Sequence, residues 1–329
     1  MELVKIKLGT SLFWYIYLLL CIGLFLGLYF GLRKKSKKVQ YWVLFGFLAL
    51  NFALHFLKLA LPYYSDKGFP AVIRKSTFEN ICAVSTMIFP FIFINKKAKV
   101  MKDYMFYMGC VSGIAGCVAP LPTIGLPFYH PEVIRCYVCH AGIWIVPLLM
   151  VIFGFHKLDY RRIWKVIFVY FGVLALIMVN ELILIRLGWV ETGSLEEFFD
   201  PGDRDMGYAV GLPAGAEGVA KLILWLTPKA WKDPYVPILW QFFPMLIGGS
   251  LICLLMSMYW EHKHFKEDCI KLYKKTVEIY GILKNKIREM KARRKGGGEA
   301  QSDGASEEAT ENSAPAEETQ PSDGEEIKN

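Results

Sequence analysis

Seven apolar runs, at 12–32, 41–63, 77–95, 103–119, 133–155, 163–186 and 237–259, are each close to the ~20 residues that cross the hydrocarbon core of a bilayer. Only helices or closed barrels satisfy their backbone polar groups in lipid, and continuous runs of this length are not the short alternating segments of a barrel. The expected fold is therefore all-α: a polytopic membrane bundle of about seven transmembrane helices. The first run is long enough to span and no small-residue cleavage site follows it, so it reads as a helix and not as a cleaved signal.

Basic residues in the connections give an orientation. "RKKSKK" after the first run holds five, while "NKKAKVMK" after the third and "HKLDYRRIWK" after the fifth hold four each. The alternate side holds two in the N-terminal segment, three in 64–76 and one in 120–135. The expectation is an N-terminus outside, a C-terminus in the cytoplasm, and residence in a membrane.

Three parts follow along the chain. Residues 1–260 form the seven-helix part, with 187–236 as an external connection. The first half of that connection is polar, and "VAKLILWLTPKAWKDPYVP" reads as an interfacial or re-entrant segment. Residues 261–295 read as a basic amphipathic helix, with Tyr273, Val277, Tyr280, Leu283, Ile287 and Met290 alternating three and four apart. That stripe, with the lysines from Lys263 to Lys295 behind it, suits an anionic inner leaflet. Residues 296–329 carry ten acidic residues against one lysine and read as a disordered tail. No nucleic-acid partner and no internal repeat is expected, and neither an inverted repeat nor a broken helix pair marks a transporter.

Polar groups inside the runs are the candidate functional residues, because burying them in lipid is costly. Asn51, His55 and Lys58 fall at i, i+4 and i+7 in the second run; Glu79, Cys82 and Thr86 fall at i, i+3 and i+7 in the third. The fifth run carries His140, the sixth Asn180 and Glu181. Counted from the outer ends at about 1.5 Å per residue, His55 lies roughly 12 Å in, Cys82 roughly 8 Å, His140 roughly 11 Å and Asn180 roughly 10 Å. One polar chamber in the outer half of the membrane accounts for that shared level.

The C-x-x-C-H string of Cys136, Cys139 and His140 has the spacing of a c-type haem site. It lies within a continuing apolar helix, where a planar cofactor lacks an open face. Zinc would need further ligands, and only His55 offers one; no cofactor and no metal is expected. The eight cysteines include Cys21, Cys82, Cys110, Cys117, Cys136 and Cys139 at or inside runs, most simply as small core residues. A thiol beside an imidazole is also an activated nucleophile. Cys82 and His140 form such a candidate pair, with Glu79, Asn180 or Glu181 orienting the ring, Asn80 or Thr86 donating to an oxyanion, and His55 a further supporting group. A structural polar cluster fits the same residues.

The stretches "STFENICAVSTMIFPFIFINKKAKVMKDYMFYMGCVSGIAGCVAP", "RCYVCHAGIWIVPLLMVIFGFHKLDYRRIWK" and "LIMVNELI" resemble the YwaF-like family of integral membrane proteins over about residues 40–260. That family is common in Gram-positive bacteria and related to a vertebrate transmembrane phospholipid acyltransferase. The resemblance implies a bacterial cytoplasmic membrane, and a marked cysteine and histidine corresponding here to Cys82 and His140. It further implies acyl transfer from a phospholipid to a lysophospholipid through an acyl-cysteine, or lipid-ester hydrolysis. Many members carry proline with histidine or glutamine before the cysteine, where this chain has Glu79 and Asn80. The rival expectation is a non-enzymatic transporter or receptor-like bundle that binds a small ligand in the same chamber.

Overall fold

A computed structural model of the protein describes residues 4–191, 198–199, 209–211, 224–232 and 235–299. Most of the polar half of the 187–236 connection and the acidic tail from residue 300 lie outside the described residues. Helices are α1 (Leu12–Leu32), α2 (Lys37–Leu57), α3 (Pro62–Ser65), α4 (Phe69–Ser76), α5 (Ile81–Ile94), α6 (Lys99–Val118), α7 (Pro131–Ile152), α8 (Ile163–Arg186), the single turn α9 (Lys229–Lys232) and α10 (Ser250–Glu299). Among the described residues six helical stretches are long and apolar enough to cross a membrane, and a seventh crossing arises if the bent pair α4–α5 counts as one. The protein is thus an all-helical, polytopic membrane protein. The chain divides into two compact units, Met1–Phe265 and Lys266–Asn329.

The third span departs from expectation. Helix fills only 81–94 of the run at 77–95; residues 77–80 form a break, and α4, in the connection before the run, meets α5 at 47°. The cause is local. Thr77 and Asn80 both take extended backbone, and Asn80 Oδ1 accepts a hydrogen bond from Ala83 N at 2.9 Å, starting a new helix. Glu79 therefore stands in the break and does not share a helical face with Cys82 and Thr86. A broken helix pair, unreadable in the sequence, is present after all.

The core is built on α6 and α7, the most extensive helix pair, with α2 packed on α5 and α7, and α8 packed on α5 and α6. Glycines permit the close approach. A Cβ added at Gly109 would lie 2.7 Å from the Ile143 carbonyl oxygen, and one at Gly113 would lie 2.9 Å from that of His140. No side chain fits there. α1 sits at the rim, tied in by Tyr17 stacked on Tyr137 and by Trp14 Nε1 donating to the Val118 carbonyl at 2.9 Å. Ahead of it the N-terminal segment pairs with the α6–α7 connection through an isolated bridge: Ile6 N donates to Leu126 O, and Phe128 N to Val4 O, each at 2.9 Å.

The basic end of the bundle, with the N-terminus of α6 and the α7–α8 connection, is pinned by fully buried Asp103. Its carboxylate accepts from Arg162 Nε at 2.5 Å and pairs with His156 Nε2 at 2.7 Å. A buried carboxylate needs such partners to offset its lost hydration.

Candidate functional site

At the opposite end lie the last turns of α2 and α8, the short helices α3 and α4, and the first turns of α5 and α7. Asn51, His55 and Lys58 are all buried, as their spacing on one face of α2 requires. Asn51 Nδ2 donates to the Cys139 carbonyl at 3.0 Å. It reaches that carbonyl only because residue 142 is glycine: a Cβ there would be 2.1 Å from the amide nitrogen. His55 Nε2 faces the Ser76 carbonyl oxygen at 3.4 Å, which makes it the protonated nitrogen.

The break between α4 and α5 forms the second wall. Cys82 is the second residue of α5, half-buried, in the turn where backbone N–H groups lack helical partners and the dipole favours negative charge. Thr86 Oγ1 donates to the Cys82 carbonyl at 2.8 Å, and the Asn80 carboxamide oxygen is engaged in capping. The other polar residues hold the break in place. Lys75 pairs with Glu79, Arg74 Nε donates to Glu181 at 3.1 Å, and Asn180 Nδ2 donates to Thr77 Oγ1 at 3.0 Å. α8 thus grips the α4–α5 joint through two adjacent residues.

The third wall is α7. Glu132, fully buried, accepts from Arg135 Nε at 2.7 Å and from the Tyr64 hydroxyl at 2.5 Å. Burial, together with the Glu132 carboxylate beside it, pushes the Tyr64 phenol well above its ordinary value, so it stays a neutral donor. Lys58 is buried beside this group, 5.7 Å from the Tyr64 ring centroid. Its ammonium has no hydrogen bond or ion pair among the described residues, whereas Arg74, Lys75 and Arg135 each have a carboxylate.

His140 is oriented from within its own helix. Nδ1 lies 2.8 Å from the Cys136 carbonyl oxygen and 3.4 Å from the Cys136 sulfur. With Nδ1–H given to the carbonyl, the lone pair is on Nε2, the nitrogen a general base would use. The ring lies against α6 at Gly116, where a Cβ would sit 2.4 Å from Nε2. The orienting group is therefore a backbone carbonyl one turn earlier, where sequence reasoning looked to Glu79, Asn180 or Glu181. The i, i+4 spacing of Cys136 and His140 is the signal that points to it.

The sequence alone did not single out Tyr64, Arg74 and Glu132, since the Tyr64–Glu132 and Arg74–Glu181 contacts join separate elements. Both thiols of "CYVCH" are buried, Cys136 against His140 and Cys139 near Arg135 Nη1 at 3.8 Å, which does not fit covalent attachment of a haem. Among the described residues no cluster of three His, Cys, Asp or Glu is placed to hold a metal ion.

No curated protein and no solved structure matches this chain. A family model described as the TMEM164 family matches residues 7–202, which take in α1 to α8 and every residue of the three walls. That match extends over more than half of the 329 residues, and the chain belongs to the TMEM164 family of membrane proteins.

Proposed function

We propose that the protein is a membrane-embedded lipid acyltransferase, with hydrolysis of lipid esters as the same chemistry run onto water. The observation that carries this reading is the setting of Cys82. Within Met1–Phe265, Cys21, Cys110, Cys117, Cys136, Cys139 and Cys253 are buried, and Cys82 is partly open at the start of a helix; exposed Cys269 lies in the following unit. A nucleophile must be reached by its substrate.

In the proposed cycle His140 Nε2 takes the Cys82 thiol proton, and the sulfur attacks the ester carbonyl of a phospholipid. The carbonyl–oxygen bond breaks, the lysophospholipid leaves with the proton, and the acyl group remains as a thioester. The hydroxyl of a second lysophospholipid then attacks the thioester, its proton passes to His140, and the Cys82 thiol re-forms. The unpaired ammonium of buried Lys58 supports a phosphate-bearing substrate, because a phosphodiester would supply the missing counter-charge. Substrate would arrive by lateral diffusion in the outer leaflet, with the N-terminus outside and the C-terminus in the cytoplasm. A bacterial cytoplasmic membrane and the YwaF-like branch belong to this reading. So does contact of the Lys263–Lys295 helix with anionic lipid.

The test is acyl trapping by the full-length protein in phospholipid nanodiscs. The wild type is expected to retain labelled acyl groups that hydroxylamine releases, and to exchange acyl chains between lipid and lysolipid; Cys82→Ser loses both. Labelling unchanged in Cys82→Ser overturns the proposal. One observation favours a second reading, a non-enzymatic ligand-binding or transport bundle: the bent α4–α5 pair, since broken helices recur at transporter sites. Saturable uptake that survives Cys82→Ser and is lost in Glu181→Gln would select it.

A further inference from the structure

At the basic end of the bundle lies a cleft of about 420 Å³ between the N-terminus of α6, the α7–α8 connection and the Glu261–His264 turn of α10. Its lining carries six lysine or arginine side chains against two carboxylates, Asp159 and Glu261. A neighbouring cleft of about 470 Å³ shares Lys96, Lys102 and Phe155 with it. Of the six, Arg162 is taken up by buried Asp103, which leaves five lysine or arginine side chains against the two carboxylates. Net positive charge is left facing the space.

An excess of lysine on one side of a membrane protein has a plainer cause, its orientation in the bilayer. That cause accounts for exposed Lys96 and Lys99. It does not account for Lys102, which is 7% exposed, lines both clefts, and makes no side-chain hydrogen bond or ion pair among the described residues. A buried ammonium without an anion gives up hydration and receives nothing back. The backbone adds to the pull at the same point: α6 starts at Lys99 with no side-chain cap, so the positive end of a 20-residue helix opens beside these lysines.

We propose that this cleft is a phosphate-binding site, separate from the chamber at the other end of the bundle, with Lys102 at its base and Lys96, Lys99 and Arg161 around the anion. The phosphate belongs either to a lipid headgroup or to a free phosphate compound; the contacts are the same, and experiment separates the two.

The experiment follows thermal unfolding of the full-length protein in phosphatidylcholine nanodiscs with two probes: phosphatidic acid added to the bilayer, and inorganic phosphate added to the buffer. Binding is expected to raise the midpoint of unfolding. A shift with phosphatidic acid alone identifies a headgroup, and a shift with both identifies phosphate whatever carries it. Lys102→Met is expected to unfold at a higher temperature than wild type without probe, since an unpaired buried charge is gone, and to lose the probe-induced shift.

The double variant Lys96→Gln/Lys99→Gln changes exposed residues only. It should leave the basal midpoint in place and raise the probe concentration needed for half the shift by about tenfold or more. Lys34→Gln, on the same end but outside both clefts, should keep the shift. Absence of a shift with either probe overturns the proposal, as does a wild-type shift in Lys102→Met. A loss in Lys34→Gln equal to that in the double variant overturns it too, because general basicity would then explain the binding.

Discussion

Single atoms decide much of the chamber. His140 lies where it does because Gly116 has no side chain; an alanine Cβ there would come within 2.0 Å of its ring carbon Cδ2. Gly116→Ala is expected to turn the ring away while leaving the bundle intact, so that acyl exchange falls by about a hundredfold with little change in thermal unfolding; activity assay and melting curve on the same preparation check this. The Glu132–Arg135–Tyr64 group makes the opposite prediction. Glu132→Ala strands a buried guanidinium and should cost about 3–5 kcal/mol, whereas Glu132→Leu combined with Arg135→Met should cost much less. Unfolding of both variants in one detergent measures the difference. Neither site was legible as such. The sequence marked His140 and Asn180 as polar residues in apolar runs, but which atom meets which is settled by packing between helices far apart in the chain.

The helices themselves were more legible than their joints. α1 and α8 begin and end within a residue of the apolar runs at 12–32 and 163–186, because lipid sets both the length and the polarity of a span. The third run misled, since "STFEN" contains a cap as well as a polar patch. One carboxamide, that of Asn80, starts α5 at Ile81 inside the run, at 47° to α4 in the preceding connection, and places Cys82 in an opening turn. Asn80→Ala is expected to remove about 1 kcal/mol of stability. It should also slow alkylation of Cys82 by a small maleimide, read by mass spectrometry at fixed pH. The glycines at 109 and 113 were visible as letters, yet their role appears only with α7 laid against them.

For the whole molecule, charge is distributed by end. The chamber's arginines and lysines, apart from Lys58, are paired with carboxylates, while the opposite end leaves an excess of cations around its clefts. The orientation expected from the connecting segments has a direct check. Exposed Cys269, in the unit that follows the bundle, should resist a membrane-impermeant maleimide in intact cells and react after permeabilisation. Labelling in intact cells would reverse the assignment of sides.

The pairing of Val4 to Ile6 with the α6–α7 connection has a practical corollary. Because the amide and carbonyl groups of this segment are stitched to Leu126 and Phe128 at the lip of α7, a bulky passenger fused just upstream would press on the helix that carries His140. Affinity handles and fluorescent reporters therefore belong at the far terminus, and a preparation that is inert with an N-terminal fusion deserves a second trial without it.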